Sequence, residues 1–366
     1  MRYNGGRTPT ILVLHVNEIA TMRNWHHIRV TSSAPVRICD LGGWSDTWFA
    51  EHGTIWSIAI APRVEVEIVA QRDSQGASSV RLHAANFATW LNLPDDAHQH
   101  PLLAAAVAEV PPPPATVTIT VHAEMPPGGS TGTSAAVSVA LLAALQALHG
   151  RVGSAADLAQ LAHRLETDRL HMQSGIQDQI AAAYGGINHI EMPRYPQSNV
   201  HPLHLPEATL HTLESRLLLF YLGKPHQSSA IHEQVIQRLQ AHNSVQPALE
   251  PLRHVARQAS AAVHNHDWQR LGQLMQANTE AQRALHPMLV SPVADEIIHI
   301  ARQHGALGWK VNGAGGDGGS LTILCNDSSV ARRQLVADVL ATLPQVRHIP
   351  IHISRTGVVS HTEILA

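Results

Sequence analysis

The chain has 366 residues, 44% of them hydrophobic and 14% charged, enough for a sizeable core and, by length, for two domains. Its 25 Lys and Arg against 28 Asp and Glu leave a formal charge of −3, which excludes a broad basic field for nucleic acid and points to a small-molecule partner. Apolar runs are too short to span a bilayer, no signal peptide is read, and the two cysteines, Cys39 and Cys325, stand in no metal-type spacing. A cytoplasmic protein without a membrane partner is expected. The 27 histidines scatter along the chain without an H-x-x-x-H pair beside a carboxylate, so no histidine metal site is expected.

Residues 1–27 read as an N-terminal extension, with Met22 as a candidate start. His27–Thr31 and Val36–Asp40 read as short strands, followed by the turn-rich Leu41-Gly42-Gly43-Trp44-Ser45-Asp46 and a short helix begun at Thr47 and ended by Gly53. Ile55–Ala61 suits a buried strand, and Val64, Val66 and Ile68, alternating with Arg63, Glu65 and Glu67, a strand with one wet face. Leu102–Val110 is a helix stopped by Pro111–Pro114. Val117, Ile119 and Val121 alternate with Thr116, Thr118 and Thr120, the period of a half-buried strand.

Between that strand and Ala135–Leu148, an almost unbroken run of Ala, Val and Leu, lies Met125-Pro126-Pro127-Gly128-Gly129-Ser130-Thr131-Gly132-Thr133-Ser134. Glycine allows positive φ and close approach to a ligand, and a helix start offers unpaired N–H groups, so the stretch suits an anion, above all phosphate. A tight turn capped by Ser134 or Thr133 is the competing reading. The loop is neither a Walker A motif nor a dinucleotide fingerprint.

Ser154 and Asp157 mark the next helix start, and Glu166 falls at the edge of its apolar stripe, where a carboxylate is costly unless something positive meets it. Gly175-Ile176-Gln177-Asp178-Gln179 opens a helix closed by Gly185-Gly186, which puts Asp178 in a first turn favoured by the helix dipole. Residues 193–206 are polar and proline-punctuated, a domain boundary. Leu217–Leu222 reads as a strand, and helices are expected at 230–240, 252–263, 268–284 and 293–304. Then Lys310-Val311-Asn312-Gly313-Ala314-Gly315-Gly316-Asp317-Gly318-Gly319 precedes the strand Leu321–Cys325, and so many glycines imply close approach to a ligand or to another loop.

Three stretches in fixed order, Ala34-Pro35-Val36-Arg37-Ile38 through Asp46, Pro126–Ala136 and Lys310–Gly319, together resemble the GHMP kinase superfamily. The second is similar to the family's Pro-x-x-x-Gly-Leu-Gly-Ser-Ser-Ala phosphate loop, with Thr131-Gly132-Thr133-Ser134 replacing Leu-Gly-Ser-Ser. Arg37–Thr47 and Gly305–Gly316 look most like the L-fucokinase branch, and Gly175–Gly186 is shared with heptose-phosphate kinases. The resemblance implies an α+β protein with the two-domain GHMP kinase fold: a ribosomal protein S5 domain 2-like ATP-binding domain over 28–205 and a ferredoxin-like C-terminal domain over 206–366.

It also implies ATP and Mg²⁺, and a small-molecule sugar as substrate of a monomer or homodimer. The expected acceptor is the anomeric hydroxyl of L-fucose or a related sugar. The alternatives are a heptose 7-phosphate 1-kinase, whose substrate's far phosphate calls for further cations such as Lys224 or His226, and a silent sugar sensor. By the same resemblance Gly128, Gly129, Ser130, Thr131, Gly132, Thr133 and Ser134 cradle the phosphates, Ser134 and Glu166 hold the metal, and Asp178 and Arg37 are catalytic. Asp46, Gly43, Trp44, Gly186, Gly315 and Gly316 shape the sugar pocket, and Asp317 is a turn residue without a role.

Overall fold

In the chain's computed structural model, residues 25–72, 78–225, 228–241 and 245–365 are described. The calls on the first 21 residues and on His226 lie outside them. Strands β1 (His27–Leu41), β2 (Gly53–Gln71), β3 (Ser79–Ala84), β4 (Thr89–Leu93), β5 (Thr116–Ala123), β6 (Ile187–Arg194) and β7 (Gln197–Pro202) build most of a nine-stranded sheet. A four-stranded sheet is formed by β8 (Leu217–Tyr221), β9 (Gly308–Val311), β10 (Ser320–Leu324) and β11 (Arg347–Ile349), in the order β11-β8-β10-β9.

Where short strands were expected, β1 and β2 each run unbroken through a bulge. The register passes from Pro35 opposite Arg63 to Val36 opposite Ile60, so the extra residues Ala61 and Pro62 are absorbed there. Proline lacks the ladder donor, and a bulge is where a sheet tolerates it. Before the bulge β1 alternates buried and half-buried residues; after it, Val36–Leu41 is buried on both faces. The reason is a second layer: helices Val245–His264 and Trp268–Leu285 pack on β1 from one side while helix Thr133–Leu148 covers the other. That helix is Ala-rich and buried along nearly its whole length, which lets it lie close to the sheet.

Residues 193–206 were expected to separate two domains. They contain instead the end of β6 and the whole of β7, a hairpin on the first sheet. The division at 205/206 follows the chain only part of the way. β12 (His352–Ile353) pairs with β2, and β13 (Val359–Ile364) pairs with β1 from Ile28–Ile364 to Ser33–Val359, so both strands complete the first sheet. The smaller sheet keeps its own core, with Phe220, Ile297, Trp309, Leu321, Ile323 and Val339, beneath helices Pro292–Gln303 and Ser329–Thr342. No helix among the described residues is long and apolar enough to cross a membrane. Cys39 and Cys325 are free and buried.

The helix Trp268–Leu285 meets β9 at two glycines. A Cβ on Gly272 would lie 2.3 Å from Leu307 O, and one on Gly308 2.3 Å from Gly272 O. Gly272 is helical, so an alanine there meets a steric obstacle alone. Gly272→Ala is expected to destabilise the protein by about 1–3 kcal/mol, the usual range for overpacking. A denaturant midpoint matching that of the parent would contradict this packing.

Candidate active site

The glycine loop leaves β5 and enters helix Thr133–Leu148 through three residues of positive φ, Gly128 at 68°, Ser130 at 55° and Gly132 at 71°. Gly132 is the N-cap and no side chain caps the helix, which corrects the reading of Thr133 or Ser134 as the cap. The Thr133 hydroxyl is shared with Thr131 Oγ1 at 3.2 Å, and Ser134 is exposed. An uncapped helix start keeps its anion-binding N–H groups.

The other two motifs hold this loop from behind. Arg37 donates its backbone N–H to Thr131 O at 2.9 Å and its Nη1 to Ser130 O at 2.7 Å. Ser320 Oγ donates to Gly129 O at 2.6 Å, and accepts from Asn312 Nδ2 at 3.0 Å. Asn312 Oδ1 in turn accepts from Cys39 N at 2.9 Å. Gly313 has φ of 59°, and a Cβ there would lie 3.0 Å from Ser130 O.

Arg37 is 3% exposed and donates Nε to Asp178 Oδ1 at 2.8 Å, with Asp40 Oδ1 3.6 Å from Nη1. Burial would lower its pKa, but Asp178 and Asp40 more than reverse this. Asp40, fully buried, also receives Gly313 N at 3.0 and 3.1 Å and Lys310 Nζ at 3.3 Å. Burial alone would raise the Asp40 carboxyl; Arg37 and Lys310 hold it below the usual range. Lys310 is lowered, chiefly by its own burial.

One helix turn arranges the remaining acids. Asp178 is the second residue of helix Gln177–Tyr184, against Gly132, whose Cβ would lie 3.0 Å from Asp178 Cγ. Gln177 N donates to Asp46 Oδ2 at 3.1 Å, and Gln179 Nε2 to Glu166 Oε2 at 2.9 Å. Glu166 sits in a widened π-type turn, Leu165–Arg169, and also receives Ser174 Oγ at 2.7 Å. Hydroxyl and amide donors, not a cation, meet this carboxylate. Burial pushes Asp46 up to about 6 and Glu166 up to about 7, with the charge of Asp178 adding to both.

These groups enclose a cavity of about 240 Å³ lined by Arg37, Trp44, Asp46, residues 128–135, Glu166 and Asp178, together with Met172–Gly175, Gln177, Gly313 and Ala314. Four expected pocket residues do not line it. Gly43 packs beneath Asp40, its Cβ position 2.6 Å from Asp40 Oδ2. Gly186 donates to Ser354 O at 2.7 Å and accepts from Ala59 N at 2.8 Å, joining β2 to the segment before β13. Gly315 and Gly316 dock on Leu289, whose carbonyl accepts from Gly316 N at 3.1 Å. Asp317 pairs with Lys224 at 3.1 Å on the surface.

Sequence reasoning gave no task to Asp40, Lys310, Asn312, Ser174 or Gln177, although four of them lie in the stretches that carried the resemblance. A second, apolar cavity of about 180 Å³, also missed, shares Gly128, Thr133 and Ser134 with the first and is lined by Phe87, Leu102, Leu103, Val121, Met125 and Val137.

The GHMP kinases N terminal domain profile matches residues 101–186, and the GHMP kinases C terminal profile residues 259–337. The chain belongs to the GHMP kinase superfamily. Its two sheets have the family's α+β fold, with the ferredoxin-like unit carrying the third motif. The D-glycero-alpha-D-manno-heptose 7-phosphate kinase of Campylobacter jejuni is 23% identical over 205 residues, 56% of this chain and 60% of that one. The bifunctional fucokinase/GDP-fucose pyrophosphorylase of Arabidopsis thaliana is 27% identical over 326 residues, 83% of this chain but 30% of that enzyme. The chain thus spans less than two thirds of both relatives. The mevalonate kinase structure from Methanococcus jannaschii superposes with a TM-score of 0.67 at 17% identity, covering 90% of this chain and 98% of that one.

Glu166 supplies a pH signature. Its folded value, about 7, lies above that of an ordinary glutamate, so between the two the folded state binds more protons than the unfolded state. Stability therefore falls as pH rises through that window. Glu166→Gln is expected to remove this part of the slope, read from denaturant unfolding of both proteins at about pH 5 and about pH 8. Identical slopes would exclude it.

Proposed function

We propose that this GHMP kinase transfers the γ-phosphoryl group of ATP to the anomeric hydroxyl of an unphosphorylated sugar, L-fucose or a close relative. The observation that carries the reading is the position of Arg37, which joins the phosphate loop at Ser130 O to the carboxylate of Asp178. Phosphoryl transfer demands positioning above all, and one buried guanidinium there fixes the phosphate loop and Asp178 relative to each other.

The N–H groups of the loop and of the uncapped helix start would hold the β- and γ-phosphates. The apolar second cavity, open to the same loop, suits the adenine base. Ser134 and Glu166 fit Mg²⁺: both line the cavity, and Glu166 Oε1 is buried without a hydrogen-bond partner while Oε2 is fixed by Ser174 and Gln179. The ion, when bound, screens the phosphate charge. Asp178 Oδ1 is engaged by Arg37, leaving Oδ2 to orient the sugar hydroxyl and take its proton. Asp46 offers a carboxylate to sugar hydroxyls, and the same charge would repel the carboxylate of mevalonate.

The lining favours a neutral acceptor over a heptose 7-phosphate. Among the described residues Arg37 is the Lys or Arg that lines the cavity, and it is committed to Asp178 and Asp40. Lys224 is exposed and paired with Asp317. A distant phosphate would therefore face carboxylates. The presence of Ser134, Glu166 and Asp178 in one cavity argues against a silent sensor.

The deciding assay is ADP release from ATP and Mg²⁺ with a panel of free sugars and sugar phosphates. Turnover on L-fucose or a related free sugar is expected; turnover on a heptose 7-phosphate alone would select that alternative, and binding without turnover the sensor. Asp178→Asn is expected to lower kcat by about 10²–10⁴-fold while ATP still binds; near-full activity would remove Asp178 from the mechanism. Phe87→Ala is expected to raise the KM for ATP about fivefold, the loss of roughly 1 kcal/mol of base–aromatic contact, and to leave the sugar KM unchanged. An unaltered ATP KM would place the base elsewhere.

A further inference from the structure

Beside Asp46 the cavity holds a hydrogen-bonding group to which the mechanism gives no task. Gln177 is 7% exposed and lines the cavity. Its backbone N–H donates to Asp46 Oδ2 at 3.1 Å, and its side-chain Nε2 lies 3.4 Å from Asp46 Oδ1. The amide oxygen, Oε1, has no hydrogen-bond partner. A buried, unpaired carbonyl oxygen is costly, and such groups call for an explanation. Turning the amide over gives no relief, because it would set Oε1 against the Asp46 carboxylate, acceptor against acceptor. The surroundings leave little slack: a Cβ on Gly175 would lie 2.0 Å from Asp46 Oδ2, and one on Gly43 3.4 Å from Gln177 Nε2.

We propose that Gln177 is a specificity-determining residue whose Oε1 accepts a hydrogen bond from the sugar hydroxyl next to the one read by Asp46. This rests on the sugar-kinase reading of the cavity. Because Gln177 and Asp46 touch, the two hydroxyls they read belong to neighbouring carbons. Both protein groups are acceptors, so each hydroxyl must donate. Donor-only recognition has a chemical signature: replacing such a hydroxyl by fluorine, which cannot donate, is as harmful as replacing it by hydrogen. Sites that hydrogen-bond a hydroxyl reject the analogue lacking it strongly, since their own polar group is then left unpaired.

The test measures kcat/KM of the full-length protein for its best sugar and for that sugar's complete monodeoxy and monofluoro series, with ATP and Mg²⁺ saturating. For the wild-type protein, two adjacent positions are expected at which deoxy and fluoro analogues lose equally, about tenfold or more each. Gln177→Met, which keeps the length of the side chain, is expected to lose about tenfold on the parent sugar and nothing further on the analogues altered at one of these positions. Asp46→Asn should erase the penalty at the other, and the KM for ATP should stay within about twofold in Gln177→Met.

Parallel losses on every analogue would reduce Gln177 to a prop for Asp46 and overturn the assignment. So would a wild-type series with a single donor position, a measurement that needs no variant to fold. If the wild-type protein turns over an acceptor that is not a sugar, the sugar-kinase reading falls, and this assignment with it. Losses confined to Gln177→Met on an active sugar kinase bear on this assignment alone.

Discussion

Everything in the cleft depends on one buried guanidinium. Arg37 is a β-strand residue with helices on both faces of its strand, so its charge has no access to water and must be met by protein. It is met on three sides, by a loop carbonyl, by Asp178 and by Asp40. Asp40 is itself held by Lys310 and the Gly313 amide of the third motif. The three sequence motifs are therefore not three separate binding elements. They meet around one compensated charge, with a loop carbonyl from the second and ionic partners from the first and third, and stripping a buried ion of its partner is far more destabilising than losing a surface ion pair.

Against this cation stand more acids than it can satisfy. Within one helical turn, Gln177 contacts Asp46, Asp178 contacts Arg37 and Gln179 contacts Glu166. Neutral amides thus fix two carboxylates without discharging them. Burial and the mutual repulsion of the acids raise the values of Asp46 and Glu166. The cleft thus gathers three carboxylates, Asp46, Glu166 and Asp178, around one guanidinium.

Much of this was legible in the chain. The strand period of residues 116–121, the glycines before Ala135 and the first-turn position of Asp178 fixed local structure, and three motifs in order carried the fold. Glycine gave the least reliable guidance. At Gly315 it reported a close approach of backbone, as expected, but to Leu289 and not to a ligand, and Gly186, expected in the pocket, is hydrogen-bonded to Ser354. A glycine records that something is near and not what it is. The partners of Asp40 and Lys310 were equally out of reach, because a buried charge pair 270 residues apart leaves no local pattern. The merging of four short strands into two also required the bulge at Pro35 and Pro62, which propensity reads as an interruption.

The return of β13 to β1 has a consequence for how the protein is made. Ile28 finds its partner in Ile364, so the nascent chain must carry one open edge of β1 while the residues between the two strands are translated. Open edges invite pairing with foreign strands, and long-range pairing is slow to form. One face of β1 carries Arg29, Thr31 and Ser33, charged and hydroxylated side chains of the kind that discourage foreign pairing at an open strand. The same delay links the two halves of the cleft in time. The sheet that bears the phosphate loop closes only after the glycine-rich third motif has left the ribosome, so a half-built chain offers neither a finished edge nor a finished catalyst.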